Sequence, residues 1–267
     1  MSEHRSEERA RSAAIGGLSE HRSEERARSA AFGGSDRTPW IVGVSGASGT
    51  PYAKAVISAL LQAGHPVDLI VSRAARLTIL DETGIAFRDN HWAEDLAAWL
   101  GADAAGAVAG DLRYWTATDL SAGPASGSYP ARGMVVVPAS TAAVAGIALG
   151  LSKDLLQRAA DVTLKERRPL VVVPRETPYT RATLSHLIEL YDAGAVVLPA
   201  SPAFYAGAGS VQQLVDFVAA KVLDVLGVRH SLITRWTGEL GAGRAAESGR
   251  AAESGTAAES GPGTATA

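Results

Sequence analysis

Five apolar runs of this chain each hand over to a short stretch of glycines, hydroxyls or charge. Ile41–Val44 leads into Ser45-Gly46-Ala47-Ser48-Gly49-Thr50-Pro51 and Val67–Val71 into Ser72-Arg73-Ala74-Ala75-Arg76. Met134–Pro138 leads into Ala139-Ser140-Thr141-Ala142-Ala143, and Leu170–Pro174 into Arg175-Glu176-Thr177-Pro178. The last, Ala195–Pro199, precedes Ala200-Ser201-Pro202-Ala203-Phe204-Tyr205. Glycine lets a backbone approach a ligand closely, and a helix that opens directly after it offers free N–H groups to an anion. An arginine beside them neutralises phosphate, and a glutamate moves a proton. Any one stretch is equally a helix cap or a surface turn. Their recurrence on one edge points to an anionic ligand.

The first loop is not a standard nucleotide signature. Its glycines read Gly43-x-x-Gly46-x-x-Gly49, which is neither the dinucleotide GxGxxG spacing nor a Walker A loop. On its own it fits a tight β–α turn capped by Ser48 as well as it fits a phosphate site. A second source of charge is Arg158, Asp161 and Lys165, three or four residues apart on one helical face. A solvated face with internal ion pairs is the competing explanation, set against the fact that this helix runs straight into the strand ending at Arg175-Glu176.

Several chemistries are excluded. The chain has no cysteine, so disulfides, thiol nucleophiles, iron–sulfur clusters and cysteine-based zinc sites are ruled out. The six histidines have no partner at metal-ligand spacing, and no HExxH, Asp-Asp-x-x-Asp or GxSxG motif occurs.

To bring those loops together, the apolar runs must lie side by side. Met134–Pro138, Leu170–Pro174 and Ala195–Pro199 are continuous rather than alternating, as strands buried on both faces are, and helical segments separate the runs: Tyr52–Ala63, Thr141–Leu149, Leu155–Lys165, Ala182–Asp192 and Val211–Leu226. That alternation predicts an α/β fold, an open, mostly parallel sheet with helices on both faces, whose ligands bind at the carboxyl ends of the strands.

Of 267 residues, 46% are hydrophobic and 20% charged, with a formal net charge of −3. This balance fits a soluble globular protein and gives no reason to expect nucleic acid or an anionic membrane as partner. No run reaches the about 18 apolar residues of a membrane helix, and the charged start is no secretory signal, so a cytoplasmic location is expected. Ser2–Gly17 recurs almost unchanged as Ser19–Gly34, and the other end repeats Gly-Arg-Ala-Ala-Glu-Ser before a small-residue tail. Neither end carries enough apolar surface to offset the entropy of ordering it. The expected organisation is therefore a charged tail over 1–38, one domain over 39–236 and a low-complexity tail over 237–267.

Taken together, GVSGASG at Gly43–Gly49, SRAA at Ser72–Ala75, the Pro138–Thr141 turn, RAADVTLKERRPLVVVPRETP at Arg158–Pro178 and GAVVLPASPAFY at Gly194–Tyr205 resemble the UbiX-type flavin prenyltransferases. The likeness runs from about Ile41 to Trp236. It implies a Rossmann-like, homo-oligomeric and typically dodecameric flavoprotein. Such enzymes move a dimethylallyl group from dimethylallyl monophosphate to N5 and C6 of reduced FMN without a metal, and the product serves UbiD-type decarboxylases. By this resemblance Gly46, Ala47, Ser48, Ser72, Ser140, Thr141, Ala142, Ala143 and Arg175 contact FMN. Arg158, Lys165, Tyr205 and Lys221 bind the prenyl phosphate, Lys221 standing where relatives carry arginine. Glu82 and Glu176 handle protons, together with Ser48 and Tyr205; an ion pair with Arg175 is the other reading of Glu176. Two competing functions are an FMN-dependent cysteine decarboxylase of the wider group and an FMN carrier without chemistry. The decarboxylase reading lacks its PxMNxxMW segment, because Pro138-Ala-Ser-Thr-Ala occupies that place.

Overall fold

The computed structural model describes residues 37–101, 111–204 and 209–235; the two repeat-bearing tails and Tyr205 lie outside them. The elements run β1 (Trp40–Val44), α1 (Thr50–Gln62), β2 (Val67–Val71), α2 (Arg73–Thr83), α3 (Trp92–Leu100), β3 (Leu112–Thr116), β4 (Gly133–Ala139), α4 (Thr141–Ala148), α5 (Leu155–Lys165), β5 (Leu170–Pro174), α6 (Arg181–Asp192), β6 (Val196–Val197) and α7 (Val211–Leu226).

The six strands form one sheet in the order β3-β2-β1-β4-β5-β6, with every pairing parallel. Side chains alternate across it, as the period of two demands. Val42, Leu69, Val135 and Val171 face a layer built by α1, α2, α3 and α7, where Ile57, Leu60 and Leu223 are fully buried. Ile41, Ile70, Val136 and Val172 face α4, α5 and α6. Burying each large aliphatic side chain contributes about 1.5–3 kcal/mol, so both layers anchor the sheet. The chain winds outward from β1 through β2 to β3, then returns to β4 and winds the other way. The loops after β1 and β4 therefore part at the centre of the carboxyl edge, the usual place for a ligand in such sheets.

Two expectations need correction. The last apolar run makes only the two-residue β6, and Val196 is 41% exposed, because β6 is the sheet's edge and has no strand beyond it. The other edge, β3, is a strand that the reading of apolar runs passes over: Leu-Arg-Tyr-Trp-Thr is mostly half-exposed and carries no continuous apolar stretch.

Candidate active site at the carboxyl edge

The β1 and β4 loops are joined by a residue that the sequence reading left unassigned. Ser45 is buried at the end of β1; its hydroxyl donates to the Pro138 carbonyl at 2.8 Å and accepts from Ser140 N–H at 2.7 Å. Its own N–H also reaches the Pro138 carbonyl, at 3.2 Å. The available clue was a small hydroxyl immediately after a strand buried on both faces, where a polar side chain needs a partner.

The glycine loop is fixed on its remaining sides. A Cβ at Gly46 would run into the Ala74 methyl, so glycine there lets the start of α2 close on the loop. Gly49 sits at φ 110°, in the left-handed region, and precedes α1. Glu82, in the last turn of α2, reaches across to this helix start. Its Oε1 accepts from Gly49 N–H and its Oε2 from Thr50 N–H, both at 2.8 Å, while the Thr50 hydroxyl donates to Oε2 at 2.6 Å. Partial burial works to raise the Glu82 pKa, but hydrogen bonds from Thr50 and the two backbone amides outweigh it and hold the group below its ordinary value. Glu82 is thus an ionised cap on α1. From the other side Arg175 donates through Nε to the Ser48 carbonyl at 2.8 Å, and its N–H bonds to the Ala139 carbonyl at 3.2 Å.

Ser72 and Ser140 open the next two helices. Ser72 Oγ accepts from Ala75 N–H at 3.1 Å and Ser140 Oγ from Ala143 N–H at 3.2 Å. Each hydroxyl is thus a helix N-cap. The starts of α1, α2 and α4, bearing Gly46, Ala47, Ser48, Ser72 and Ser140 to Ala143, therefore gather at one rim beside Arg175. The starts of α2 and α4 and the Arg175 guanidinium suit a phosphate-bearing ligand, whereas the N–H groups that open α1 are taken by the Glu82 carboxylate; the fit to FMN's phosphate rests on those two helix starts and Arg175.

The remaining candidates are placed differently. Glu176 is exposed in the loop after β5 and accepts from Thr177 N–H at 2.9 Å, while the adjacent Arg175 engages the Ser48 carbonyl. Arg158 pairs with Asp161 at 2.8 Å and donates to the Ala125 carbonyl at 3.1 Å. Lys165 pairs with Glu166. These are the internal ion pairs of the solvated-face reading, yet Arg158 and Lys165 remain 35% and 45% exposed. They stand at opposite ends of α5. Leu155 N–H bonds to Ala117, just past the carboxyl end of β3, whereas Pro169, after the helix, meets Met134 at the amino end of β4. Their offset of seven residues spans about 10 Å along the helix. Arg158 therefore lies toward the rim and Lys165 toward the far edge of the same chain. Lys221 is on α7, 3.3 Å from Asp224, which also bonds to His230 and Arg235.

A cavity of about 870 Å³ lies away from this rim. It opens at the amino edge, among Pro39, Pro66, Asp68, Trp92, Arg113 and Tyr129. It includes the first turn of α3, where Glu94 is acidic, but neither the glycine loop nor Arg175. The rim is the better candidate because its donors converge. Among the described residues no group of three or more His, Asp or Glu could hold a metal ion, and no helix is long and apolar enough to cross a membrane.

A parallel three-layer sheet with helix starts and an arginine at its switch point defines an α/β protein built for a nucleotide-type phosphate. The flavoprotein family model matches residues 32–223. The flavin prenyltransferase UbiX of Streptomyces coelicolor is 66% identical over 212 residues, covering 77% of this chain and 98% of that protein. Its namesake in Pseudomonas aeruginosa is 41% identical, covering 73% and 92%. A crystal structure of AnUbiX (PadA1) in complex with FMN and dimethylallyl pyrophosphate superposes with a TM-score of 0.66 at 33% identity, over 76% of this chain and 99% of that one. A dodecameric FMN-dependent UbiX-like decarboxylase from Escherichia coli O157:H7 gives 0.66 at 36% identity, over 75% and 100%. The chain belongs to the flavoprotein family and, within it, to the UbiX flavin prenyltransferases.

Proposed function

We propose that the chain joins a dimethylallyl group from dimethylallyl monophosphate to reduced FMN, and that the prenylated product is passed to a UbiD-type decarboxylase. The observation that carries this is the convergence of the α1, α2 and α4 starts with Arg175 at the switch point of a chain so similar to named flavin prenyltransferases. Gly46, Ala47, Ser48, Ser72, the 140–143 turn and Arg175 hold FMN. When bound, reduced FMN supplies the nucleophilic N5 and C6 positions.

Breaking the prenyl C–O bond builds negative charge on the departing phosphate. Arg158, Lys165, Lys221 and Tyr205 are assigned to that phosphate, the cations as charge-assisted donors, so the step needs no metal. Lys165 lies at the far end of α5 from its own rim, so it serves the rim of a second copy, which supports a homo-oligomer of the dodecameric kind. The Ser48 hydroxyl and the Glu82 carboxylate, which holds the next two residues' N–H groups, are assigned to the path of a proton leaving the flavin. Glu176, exposed beside Arg175, is the second proton acceptor. A cytoplasmic site of action goes with this reading.

Anaerobic incubation with reduced FMN and dimethylallyl monophosphate, followed by mass spectrometry of the extracted flavin, tests it. A flavin heavier by one prenyl unit is expected. An unmodified flavin that stays bound makes the chain a carrier and overturns the reading.

A further inference from the structure

Asp68 is the one residue of β2 that departs from the strand's apolar character. It sits between Val67 and Leu69, on the face it shares with Ile70, and is 2% exposed. A carboxylate on a buried sheet face is costly unless something donates to it. The Tyr129 hydroxyl does so, at 2.7 Å from Oδ2. Tyr129 is itself steadied by the Trp115 ring, edge-on at a centroid separation of 6.2 Å.

Tyr129 closes the loop that crosses this face from β3 to β4, and the same loop sets the directions of the α5 cations. The Ala125 carbonyl accepts from Arg158 Nε at 3.1 Å and the Gly127 carbonyl from Arg168 Nη2 at 2.8 Å. A Cβ on Gly127 would stand 2.7 Å from Lys165 Nζ and inside the Glu166 carboxylate, so the loop's backbone is packed directly against that pair. At its other end the Tyr129 ring fills the space beside Gly123, where a Cβ would meet ring carbons at 2.5 Å. Loop position and cation position are therefore one mechanical unit, pinned to the sheet through Asp68.

We propose that Tyr129 and Asp68 are positioning residues for the prenyl donor: their hydrogen bond holds loop 123–129 in place, and the loop aims Arg158 at the donor phosphate of its own rim and Lys165 at that of a second copy. This rests on the assignment of those two cations to that phosphate. Neither Tyr129 nor Asp68 touches the FMN rim, so their loss acts on the donor and leaves flavin binding intact.

The test compares KM for dimethylallyl monophosphate, kcat and FMN affinity across variants of the full chain. Tyr129→Phe keeps the ring and removes the hydroxyl. It raises donor KM roughly tenfold, the low end of what losing a supporting hydrogen bond costs a charged site, with FMN affinity and kcat unchanged. Asp68→Asn, which retains an acceptor oxygen for Tyr129, rescues KM to about twice wild type or better. Because Tyr129→Phe strands a buried carboxylate, the pair Tyr129→Phe with Asp68→Leu is measured too; it removes the stranded charge, and its KM stays high. Arg158→Ala is run alongside. If it raises donor KM while Tyr129→Phe and the double variant do not, the positioning role is overturned and the cation assignment stands. If Arg158→Ala leaves donor KM unchanged, the cation assignment itself fails, and the inference with it.

Discussion

Replacing Ser45 with alanine tests whether one hydroxyl holds the two halves of the site together. The wild-type oxygen makes two bonds, to the Pro138 carbonyl and from Ser140 N–H. The first loss is partly covered, because Ser45 N–H still reaches the Pro138 carbonyl. The second is not covered within the pair of loops: Ser140 N–H is stranded in a part-buried place. One orphaned donor costs about 1–3 kcal/mol, and partial burial puts this case in the lower half, about 1–2 kcal/mol. For a domain of this size each kcal/mol lowers the melting temperature by roughly 2–4 °C, so apo Ser45→Ala should melt roughly 2–8 °C lower. The same bond sets the separation of the glycine loop from the start of α4. FMN affinity, followed by flavin fluorescence quenching, should therefore fall by about tenfold, equivalent to the same 1–2 kcal/mol. A melt within about 1 °C of wild type, with unchanged FMN affinity, would show that the backbone bond alone joins the loops and refute the reasoning.

Further outcomes follow from the same geometry. Glu176→Gln should bind FMN as wild type does and lose transfer by about a hundredfold or more in single-turnover assays, the scale of a lost general base; transfer at the wild-type rate would leave Glu176 as a surface residue. Gly46→Ala drives a methyl into Ala74, so α2 must shift away from the loop and FMN titration should show at least about tenfold weaker binding. Glu82 is held below its ordinary pKa of 4.5, so its cap on α1 is fully present above that pH and is lost as the pH falls through the lowered value. Melting temperature against pH should accordingly drop less steeply on acidification in Glu82→Gln than in wild type, and parallel curves would count against the cap.

The sequence made the architecture legible wherever a strand is buried on both faces. Leu170–Pro174 carries an uninterrupted apolar run and its ends are where the sequence placed them, as are those of Val67–Val71, which Asp68 alone interrupts. The edges were harder, because β3 and β6 each have a neighbouring strand on one side only and their composition follows that partial exposure. For the site, the glycine loop and the capping serines announced themselves by residue type. What remained hidden depends on contacts between distant segments: Ser45 bonded across the switch point, 93 residues from Pro138, and Glu82 turned back onto Gly49 and Thr50 from 32 or 33 residues away. Nor could spacing along α5 reveal that Arg158 lies toward the rim and Lys165 toward the far edge, since that follows from where the helix begins and ends. Asp68 illustrates the reverse difficulty: a lone acid in an apolar strand looks like an interruption until Tyr129 is found beside it.

A crystal structure of the full chain with FMN and dimethylallyl monophosphate bound tests the central claim most directly. The account predicts the flavin phosphate on the N–H groups of the 140–143 turn and the glycine loop, near Arg175, with Lys165 of a second copy on the donor phosphate. Flavin seated instead in the amino-edge cavity, between Asp68 and Trp92, or Lys165 facing bulk solvent in the assembled protein, would contradict it.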